Sequence, residues 1–218
     1  MIKGAIFDID GVVLDSMKMW NHLGSRYLES LDIMPEEGLN DILFSMSMEE
    51  GAHYLKTHYP LDQSEQDIIE DIKLMITSFY VREVQAKKGV KALLDYLRSK
   101  TISIVAATSS DCELVKQAIK RNGLANYFER IMSTSEIGKS KHVPDIYNCL
   151  ACYLKCSPSE ILVFEDSLYA LQTAKKAGFI TVGVYDAFGE KQQDELRKNA
   201  HYYMKDYSMF NELKEGRK

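Results

Sequence analysis

Strand-like and helix-like segments alternate from Gly89 onward, and this alternation is the feature that most constrains the fold. Short apolar runs rich in β-branched residues are separated by longer segments whose apolar residues recur with helical spacing. Near-continuous apolar strands are typical of a parallel sheet covered by helices on both faces. The chain is therefore predicted to be α/β, with ligands binding beyond the carboxyl ends of its strands. The pattern predicts strands at residues 102–107, 130–133, 161–164 and 180–184, and helices at residues 90–100, 111–122, 145–155 and 168–177.

A further strand is predicted at the start of the chain, where an apolar run ends at Asp8 and Asp10. Side chains two positions apart on an extended backbone point the same way, so both carboxylates project beyond the strand end. Carboxylates so close together repel each other, and one would keep its proton unless a cation lay between them. The pair therefore favours a divalent-metal site or a nucleophile beside an acid/base, and we expect both.

Two simpler interpretations exist for residues 8–11. Asp and Gly are common in turns, so a plain turn stays open on this motif alone. A helix-loop-helix calcium site would need a preceding helix and a Glu at the twelfth position of the loop. Counting from Asp8 or Asp10, that position falls on Met19 or Asn21, so the calcium-loop hypothesis fails.

Hydroxyl-bearing residues follow the predicted strand at residues 102–107. Thr108 and Ser109 come immediately before a predicted helix. Hydroxyl and backbone N–H groups at a helix N-terminus could bind an anion there. A simple helix cap by Ser109 or Ser110 is the alternative interpretation.

Acidic residues recur after the predicted strand at residues 161–164, where Glu165 and Asp166 follow. Asp166 could instead cap the next helix. Lys141 lies in a loop before a helix led by Pro144, and most single lysines are simply solvated. Acids at two strand ends, hydroxyls at a third and a lysine nearby are together what a metal–phosphate site requires. Mg²⁺ in particular prefers a few carboxylate oxygens, phosphate and retained waters.

Composition and charge argue against several other classes of protein. The 218 residues are 45% hydrophobic and 27% charged, which is ordinary for a globular protein. A formal net charge of −5 with no basic stripe argues against a nucleic-acid partner. No apolar stretch is long enough to span a bilayer, and an early acidic residue argues against a signal peptide. We expect a cytoplasmic monomer with a small-molecule partner and no membrane association.

Residues 16–82 interrupt the α/β pattern, because they show only helical spacing broken by proline and glycine. We expect residues 1–15 and 83–218 to form the α/β core, and residues 16–82 to form a small all-α cap domain. The helices could act as a lid over the strand ends, with hinges near residues 13–16 and 82–88.

Three of the four cysteines form a C-x2-C-x3-C cluster at Cys149, Cys152 and Cys156. The spacing invites a zinc or iron–sulfur interpretation, but one face of a single helix gives poor tetrahedral geometry. No fourth Cys or His has metal-site spacing. Because free cysteines are common in protein cores, we expect this helix face to pack in the interior.

The ordered motifs resemble those of the haloacid dehalogenase superfamily. More specifically, the chain is similar to the branch of phosphatases and β-phosphoglucomutase-like proteins in which a helical cap follows the first strand. The resemblance covers nearly the whole chain and implies a Rossmann-like core with a small phosphorylated metabolite as the partner. The motifs are Asp8-x-Asp10-Gly11-x-x-x-Asp15-Ser16, Thr108-Ser109, Lys141-x-x-Pro144-Asp145 and Glu165-Asp166-Ser167.

The resemblance implies three catalytic residues. Asp8 is expected to be the nucleophile, Asp10 the general acid/base, and Lys141 the cation that neutralises charge at the reacting centre. Attack by Asp8 would give an aspartyl phosphate, which divides one difficult displacement into two easier ones.

The resemblance also implies the binding residues. Thr108 and Ser109 are expected to bind the phosphoryl group of the substrate. Mg²⁺ is the expected cofactor, and Glu165 would support it without binding it directly. The expected ligands of the ion are Asp8, Asp166 and the carbonyl oxygen of Asp10.

Two features of the helical segment bear on the choice between a phosphatase and a phosphomutase. This chain has Trp20 where β-phosphoglucomutases have a cap histidine. Where those enzymes have a basic loop, residues 44–50 contain Glu49 and Glu50 but no Arg or Lys. A dianionic phosphate facing two carboxylates would be poorly bound, so a Mg²⁺-dependent phosphatase of a sugar or polyol phosphate is preferred to a mutase. Asp10 disfavours a dehalogenase, and the complete acidic set disfavours a non-catalytic binding module.

Overall fold

The computed structural model of the chain describes residues 1–43 and 46–210, with backbone alone at residues 190, 191, 209 and 210. Within these residues, six strands form one parallel sheet in the order β3-β2-β1-β4-β5-β6. The strands are β1 (Gly4–Phe7), β2 (Ser103–Thr108), β3 (Arg130–Ser133), β4 (Ile161–Glu165), β5 (Ile180–Val184) and β6 (Tyr202–Met204).

The strand order reverses at β1, which lies between β2 and β4. Phe7, the last residue of β1, is aligned with Ala106 of β2 and Phe164 of β4. Strands β1 and β4 are buried along their whole length, as the apolar runs predicted. In doubly wound sheets, ligands bind at such a reversal point, beyond the carboxyl ends of the strands. The loops that follow β1, β2 and β4 all begin at this edge.

Residues Met17–Glu83 form a compact unit, and every regular element in its described part is a helix. Ser47 and Ser64 cap the two longest helices of the unit. Each serine hydroxyl accepts the backbone N–H of the acidic residue three positions later, and the carboxylate of that acid accepts the backbone N–H of the serine. The unit has its own buried apolar residues, including Tyr27 and Ile68. The helices are α1 (Met17–Asn21), α2 (Leu23–Ser30), α3 (Leu39–Leu43), α4 (Met48–His58) and α5 (Glu65–Ser78), followed by a π-helical turn at Phe79–Glu83.

The second compact unit comprises Met1–Ser16 and the chain from Val84 onward. Its helices flank the sheet, and one of them places Tyr147 and Leu150 in an apolar cluster with Ile6 and Val163. The helices are α6 (Val90–Ser99), α7 (Cys112–Arg121), α8 (Thr134–Ile137), α9 (Asp145–Leu154), α10 (Leu168–Lys176) and α11 (Gln193–Asn199).

The predicted α/β class with a helical insertion is confirmed. The two compact units divide one residue later than the expected boundaries, at Ser16 and Glu83. Their roles as catalytic core and cap stay predictions. Strand β6 was not predicted, because it has only three residues and two of them are half-buried. Such a short edge strand carries little of the hydrophobic pattern on which strand prediction depends.

The expectation that the cysteine face packs in the interior was wrong for Cys149 and Cys152, whereas Cys156 packs partly against the apolar cluster of the core. Cys149 and Cys152 are exposed, and Cys156 lies beyond the end of α9 and is half-buried. The opposite face of α9 is the buried one, through residues that include Ile146 and Leu150. The helical spacing placed Cys149 and Cys152 on one face correctly, but Cys156 lies outside the helix. The spacing also did not determine which face of the helix the protein covers.

The segments expected to act as hinges are paired by backbone hydrogen bonds. The N–H of Asp15 donates to the carbonyl of Gln85 at 2.9 Å, and the N–H of Lys87 donates to the carbonyl of Val13 at 2.8 Å. Motion about these segments stays a prediction. Among the described residues, no helix combines the length and the apolar character needed to cross a membrane.

Candidate active site

The turn after β1 fixes the positions of the two leading aspartates. The N–H of Asp8 donates to the carbonyl of Phe164 at 2.9 Å, which extends the sheet pairing by one residue. The backbone then turns sharply, and the Ile9 carbonyl accepts the N–H of Leu14 at 2.8 Å. Gly11 sits within this turn at φ +76°, a left-handed conformation that favours glycine. Asp8 therefore continues the strand, whereas Asp10 lies in the turn.

Asp8 is the centre of a buried, charge-paired group. The Nζ of Lys141 forms an ion pair with Asp8 Oδ1 and a second ion pair with Glu165 Oε1, the latter at 2.8 Å. The hydroxyl of Tyr147 donates to the same Glu165 oxygen at 2.7 Å. All four side chains are almost completely buried. Hydrogen bonds between charged partners are stronger than neutral ones, so this arrangement is firmly fixed.

Asp8, Glu165 and Asp166 could together bind a metal ion. Each offers a carboxylate oxygen, and these three oxygens lie within 4.8 Å of one another. Lys141 compensates for only one of the three negative charges, so the residual charge matches a divalent cation. Hard oxygen ligands of this type suit Mg²⁺. The donor set therefore fits the expected ion. The expectation that Glu165 supports the ion without binding it directly stays a prediction, although its oxygen lies in the same group as those of Asp8 and Asp166.

The carboxylate of Asp10 has different partners. Its Oδ1 accepts from the hydroxyl of Ser16 at 2.6 Å, and its Oδ2 accepts from the hydroxyl of Ser110 at 2.7 Å. This side chain does not belong to the three-acid cluster found among the described residues. The expected metal contact of Asp10 was through its backbone carbonyl, and that contact stays a prediction.

The segment after β2 is joined to Asp10 through Ser110. The N–H of Ser110 donates to the hydroxyl oxygen of Thr108 at 3.0 Å. Thr108 is fully buried at the end of β2, whereas Ser109 is exposed. A hydroxyl that accepts one hydrogen bond can still donate its own proton, so Thr108 keeps the donor that its expected role needs. The expected binding of a phosphoryl group by Thr108 and Ser109 stays a prediction.

The alternative interpretation of these serines as helix caps was wrong. Helix α7 is capped by Asp111, whose carboxylate accepts the backbone N–H groups of Glu113 and Leu114. An Asp is as good a cap as a Ser, and it stands one residue nearer the helix. Ser110 is therefore available to Asp10.

Burial and crowding shift the pKa values of the acidic cluster. Burial raises the pKa of Asp8 well above its usual value, and the neighbouring carboxylates add to this shift while Lys141 opposes it. Burial, Glu165 and Asp186 raise the pKa of Asp166 to about 8. Burial lowers the pKa of Lys141, but Asp8 and Glu165 outweigh it and the net pKa is raised. A cluster that attracts protons in this way also attracts a divalent cation, which would replace them.

Several residues that shape this site were not predicted as site residues. Ser16 and Ser110 were visible in or beside the motifs, but a serine carries too little signal on its own. Tyr147 follows Lys141 by six positions, on the face of α9 that the helical pattern could have marked as buried. An ion pair between the half-buried Lys87 and the buried Asp186, at 2.7 Å, also contributes to the electrostatics of Asp166.

The fold and the site together define a class of protein. Buried acids gather with one lysine at the reversal point of a doubly wound sheet, where such folds bind their ligands. Strongly shifted pKa values in such a cluster are typical of catalytic groups. The arrangement is typical of an α/β enzyme with a buried acidic active site.

The family follows from the sequence match. Residues 5–184 match the haloacid dehalogenase-like hydrolase family, which covers most of the chain. The protein belongs to this family of hydrolases, as its motifs predicted.

Relatives in this family are similar over most of their length. A phosphorylated carbohydrates phosphatase from Thermotoga maritima is 25% identical over 177 residues, which are 81% of this chain and 82% of that protein. The β-phosphoglucomutase of Bacillus subtilis is 26% identical over 197 residues, covering 84% of this chain and 83% of that protein. A crystal structure from Thermotoga maritima, assigned provisionally as a β-phosphoglucomutase, has a TM-score of 0.87 at 25% identity and covers 98% of this chain and 99% of that one. The predicted branch of phosphatases and β-phosphoglucomutase-like proteins is confirmed.

Proposed function

We propose that the protein is a Mg²⁺-dependent phosphatase of a small phosphomonoester, of the sugar or polyol phosphate class. The observation that carries this proposal is the cluster of Asp8, Glu165 and Asp166 with Lys141 paired to Asp8. The phosphatase relative that acts on phosphorylated carbohydrates supports the substrate class.

In the first step, a carboxylate oxygen of Asp8 would attack the phosphorus of the substrate. The new oxygen–phosphorus bond replaces the bond to the leaving alcohol, whose oxygen takes a proton from Asp10. Lys141 opposes protonation of Asp8 and orients it, because an ammonium group stabilises the charged carboxylate. The buried setting excludes water that would weaken this interaction.

In the second step, Asp10 would take a proton from a water molecule, whose oxygen then attacks the phosphorus of the aspartyl phosphate. Inorganic phosphate leaves and the Asp8 carboxylate is restored. The serine hydroxyls on Asp10 suit this exchange, because a hydroxyl can rotate to donate to a carboxylate or accept from a protonated one.

Asp8 and Asp166 would hold Mg²⁺, with the Asp10 carbonyl as the further expected ligand. Glu165 would join them, a more direct role than the sequence predicted, because its oxygen lies in the same group. When bound, the ion would supply positive charge beside the phosphoryl oxygens. Thr108 would donate a hydrogen bond from its hydroxyl to the phosphoryl group, and Ser109 would contact the same group from the exposed side.

A phosphomutase is the second candidate, favoured by the similarity to β-phosphoglucomutases. Two contacts in the helical unit argue against it. The indole N–H of Trp20 donates to the hydroxyl of Tyr80 at 3.0 Å, and an indole cannot replace a histidine in proton transfer. The carboxylate of Glu50 accepts the N–H of Ser47 at 2.8 Å, so an acid already occupies the start of α4. Phe44 and Ser45, also in the compared segment, lie outside the described residues.

The nucleophile assignment is tested with p-nitrophenyl phosphate. The wild type should release phosphate when Mg²⁺ is present, and Asp8→Asn should reduce kcat by roughly 10³-fold or more. Glu83→Gln, a change at an exposed acid of the helical unit, is the matched control and should leave kcat unchanged. Activity that survives in Asp8→Asn would rule out the covalent step.

The substrate class is tested with a panel of sugar and polyol phosphates, by measuring inorganic phosphate. Release of phosphate from members of this class supports the phosphatase. The mutase predicts conversion of β-glucose 1-phosphate into the 6-phosphate with a bisphosphate primer, without net release of phosphate. That outcome would replace the phosphatase proposal.

A further inference from the structure

Tyr147 divides its side chain between the core and the site. Its ring lies in the apolar cluster that α9 forms with the sheet, 6.0 Å from the ring of Phe179. Its hydroxyl reaches out of that cluster and donates to Glu165 Oε1 at 2.7 Å. The side chain is fully buried. Packing and hydrogen bonding therefore depend on different atoms of the same residue and can be separated by a single substitution.

The Glu165 oxygen that accepts from Tyr147 also accepts from Lys141 at 2.8 Å. Lys141 in turn is paired with Asp8. A continuous chain of contacts thus leads from the Tyr147 hydroxyl, through Glu165 and Lys141, to the carboxylate proposed as the nucleophile. Lys141 precedes α9 and Tyr147 lies in its first turn, and both donate hydrogen bonds to Glu165 at the end of β4.

We infer that Tyr147 is a positioning residue, whose hydroxyl fixes the Glu165 carboxylate so that it can serve the metal and Lys141 at the same time. The inference rests on the proposed function for its catalytic arm alone. A carboxylate with one buried donor has a preferred orientation, whereas a carboxylate with two has little freedom left to rotate. Groups that orient metal ligands in this way typically contribute tenfold or more to affinity or activity.

The test is Tyr147→Phe, which removes the hydroxyl and keeps the ring in its packed position. Mg²⁺ binding is measured by calorimetry on the metal-free protein, and kcat and KM are measured with p-nitrophenyl phosphate. We expect Mg²⁺ Kd to rise about tenfold and kcat to fall about tenfold, with KM within about twofold of wild type. The melting temperature should stay close to that of the wild type, because the apolar contacts are unchanged.

Tyr27→Phe is the matched control. Tyr27 is also fully buried, but its hydroxyl has no hydrogen-bond partner among the described residues. Removal of that hydroxyl should leave Mg²⁺ Kd, kcat and KM unchanged. The two variants therefore compare the same chemical change with and without a Glu165 partner.

The inference is overturned if Tyr147→Phe leaves Mg²⁺ Kd within about twofold of wild type, whatever happens to kcat. It is also overturned if the variant fails to fold or melts far below the wild type, because the hydroxyl would then be structural. If the wild type proves inactive but Tyr147→Phe still weakens Mg²⁺ binding, the positioning role stands and the proposed phosphatase fails. If the wild type is active and Tyr147→Phe changes neither Mg²⁺ Kd nor kcat, the proposed phosphatase stands and the positioning role fails.

Discussion

The candidate site has two halves that place their aspartates in opposite environments. The charge-paired half contains Asp8 with Lys141, and the hydroxyl-bonded half contains Asp10 with Ser16 and Ser110. Asp8 is buried against a lysine and two further acids, and its neighbours are charged. Asp10, two residues later, lies between the neutral hydroxyls of Ser16 and Ser110. The same side chain is thus placed in two different electrostatic environments within one turn of the backbone.

The difference accounts for two different proposed roles. An ammonium group can only donate, so Lys141 favours the ionised form of Asp8 that a nucleophile needs. A hydroxyl can donate or accept, so the serines tolerate both protonation states of Asp10, which an acid/base must pass through. Pairs of carboxylates whose environments differ in this way are a common route to divided catalytic roles.

The largest effect is expected from Lys141→Met, which breaks the charge-paired half. Three acids would face one another without a counter-charge, so kcat should fall by about 10³-fold. The free energy of unfolding without metal should fall by about 3 kcal/mol, because a buried pair loses one partner. Steady-state kinetics and denaturant titration measure both effects. Lys139→Met, at an exposed lysine two positions earlier, should leave kcat unchanged. It should change the free energy of unfolding by no more than about 0.5 kcal/mol. Equal effects at the two lysines would contradict the buried-pair interpretation.

An intermediate effect is expected from Mg²⁺ itself, through the same half of the site. At a hundred times its Kd, the ion should stabilise the folded protein by about 2.7 kcal/mol and raise its melting temperature. Asp166→Asn should abolish this stabilisation, whereas Asp10→Asn should retain it because its side chain is outside the acidic cluster. Thermal unfolding with and without Mg²⁺ compares the variants, and EDTA should reverse the shift. Loss of the stabilisation in both variants would mean that the Asp10 side chain also contributes to Mg²⁺ binding, which contradicts the division into two halves.

The smallest effects are expected in the hydroxyl-bonded half. Ser110→Ala and Ser16→Ala each remove one donor to Asp10 and leave the other, so kcat should fall about tenfold in each. Mg²⁺ Kd should not change. Ser140→Ala, at an exposed serine before Lys141, serves as the control. Unchanged kcat in both Asp10-contacting variants would remove these hydroxyls from the catalytic account.

The sequence was sufficient for the parts of the fold that repeat a strong pattern. Strands β3 and β5 begin and end where the apolar runs predicted, and β2 and β4 differ from prediction by no more than one residue at either end. Short apolar runs between helical segments of clear periodicity leave few alternatives. The acids at the ends of β1 and β4 were predictable for a related reason, because parallel strands bring their carboxyl ends to one edge.

The remaining features depend on contacts between distant parts of the chain. The bond between Ser110 and Asp10 joins residues a hundred positions apart, and the bond between Tyr147 and Glu165 joins α9 to β4. No local pattern encodes either contact. The exposed cysteines show the same limit, since helical spacing defines a face and only tertiary packing decides whether that face is covered.

The most direct measurement locates the phosphoryl group when Asp10 is disabled. Asp10→Asn should still transfer the phosphoryl group from p-nitrophenyl phosphate to Asp8, because this leaving group needs little protonation. The variant should hydrolyse the resulting aspartyl phosphate slowly. Acid quenching followed by peptide mass spectrometry should then find one phosphoryl group on the peptide that contains Asp8, and none in the double variant with Asp8→Asn. Continued turnover with no phosphorylated peptide, or a phosphoryl group on a different residue, would contradict the covalent role of Asp8.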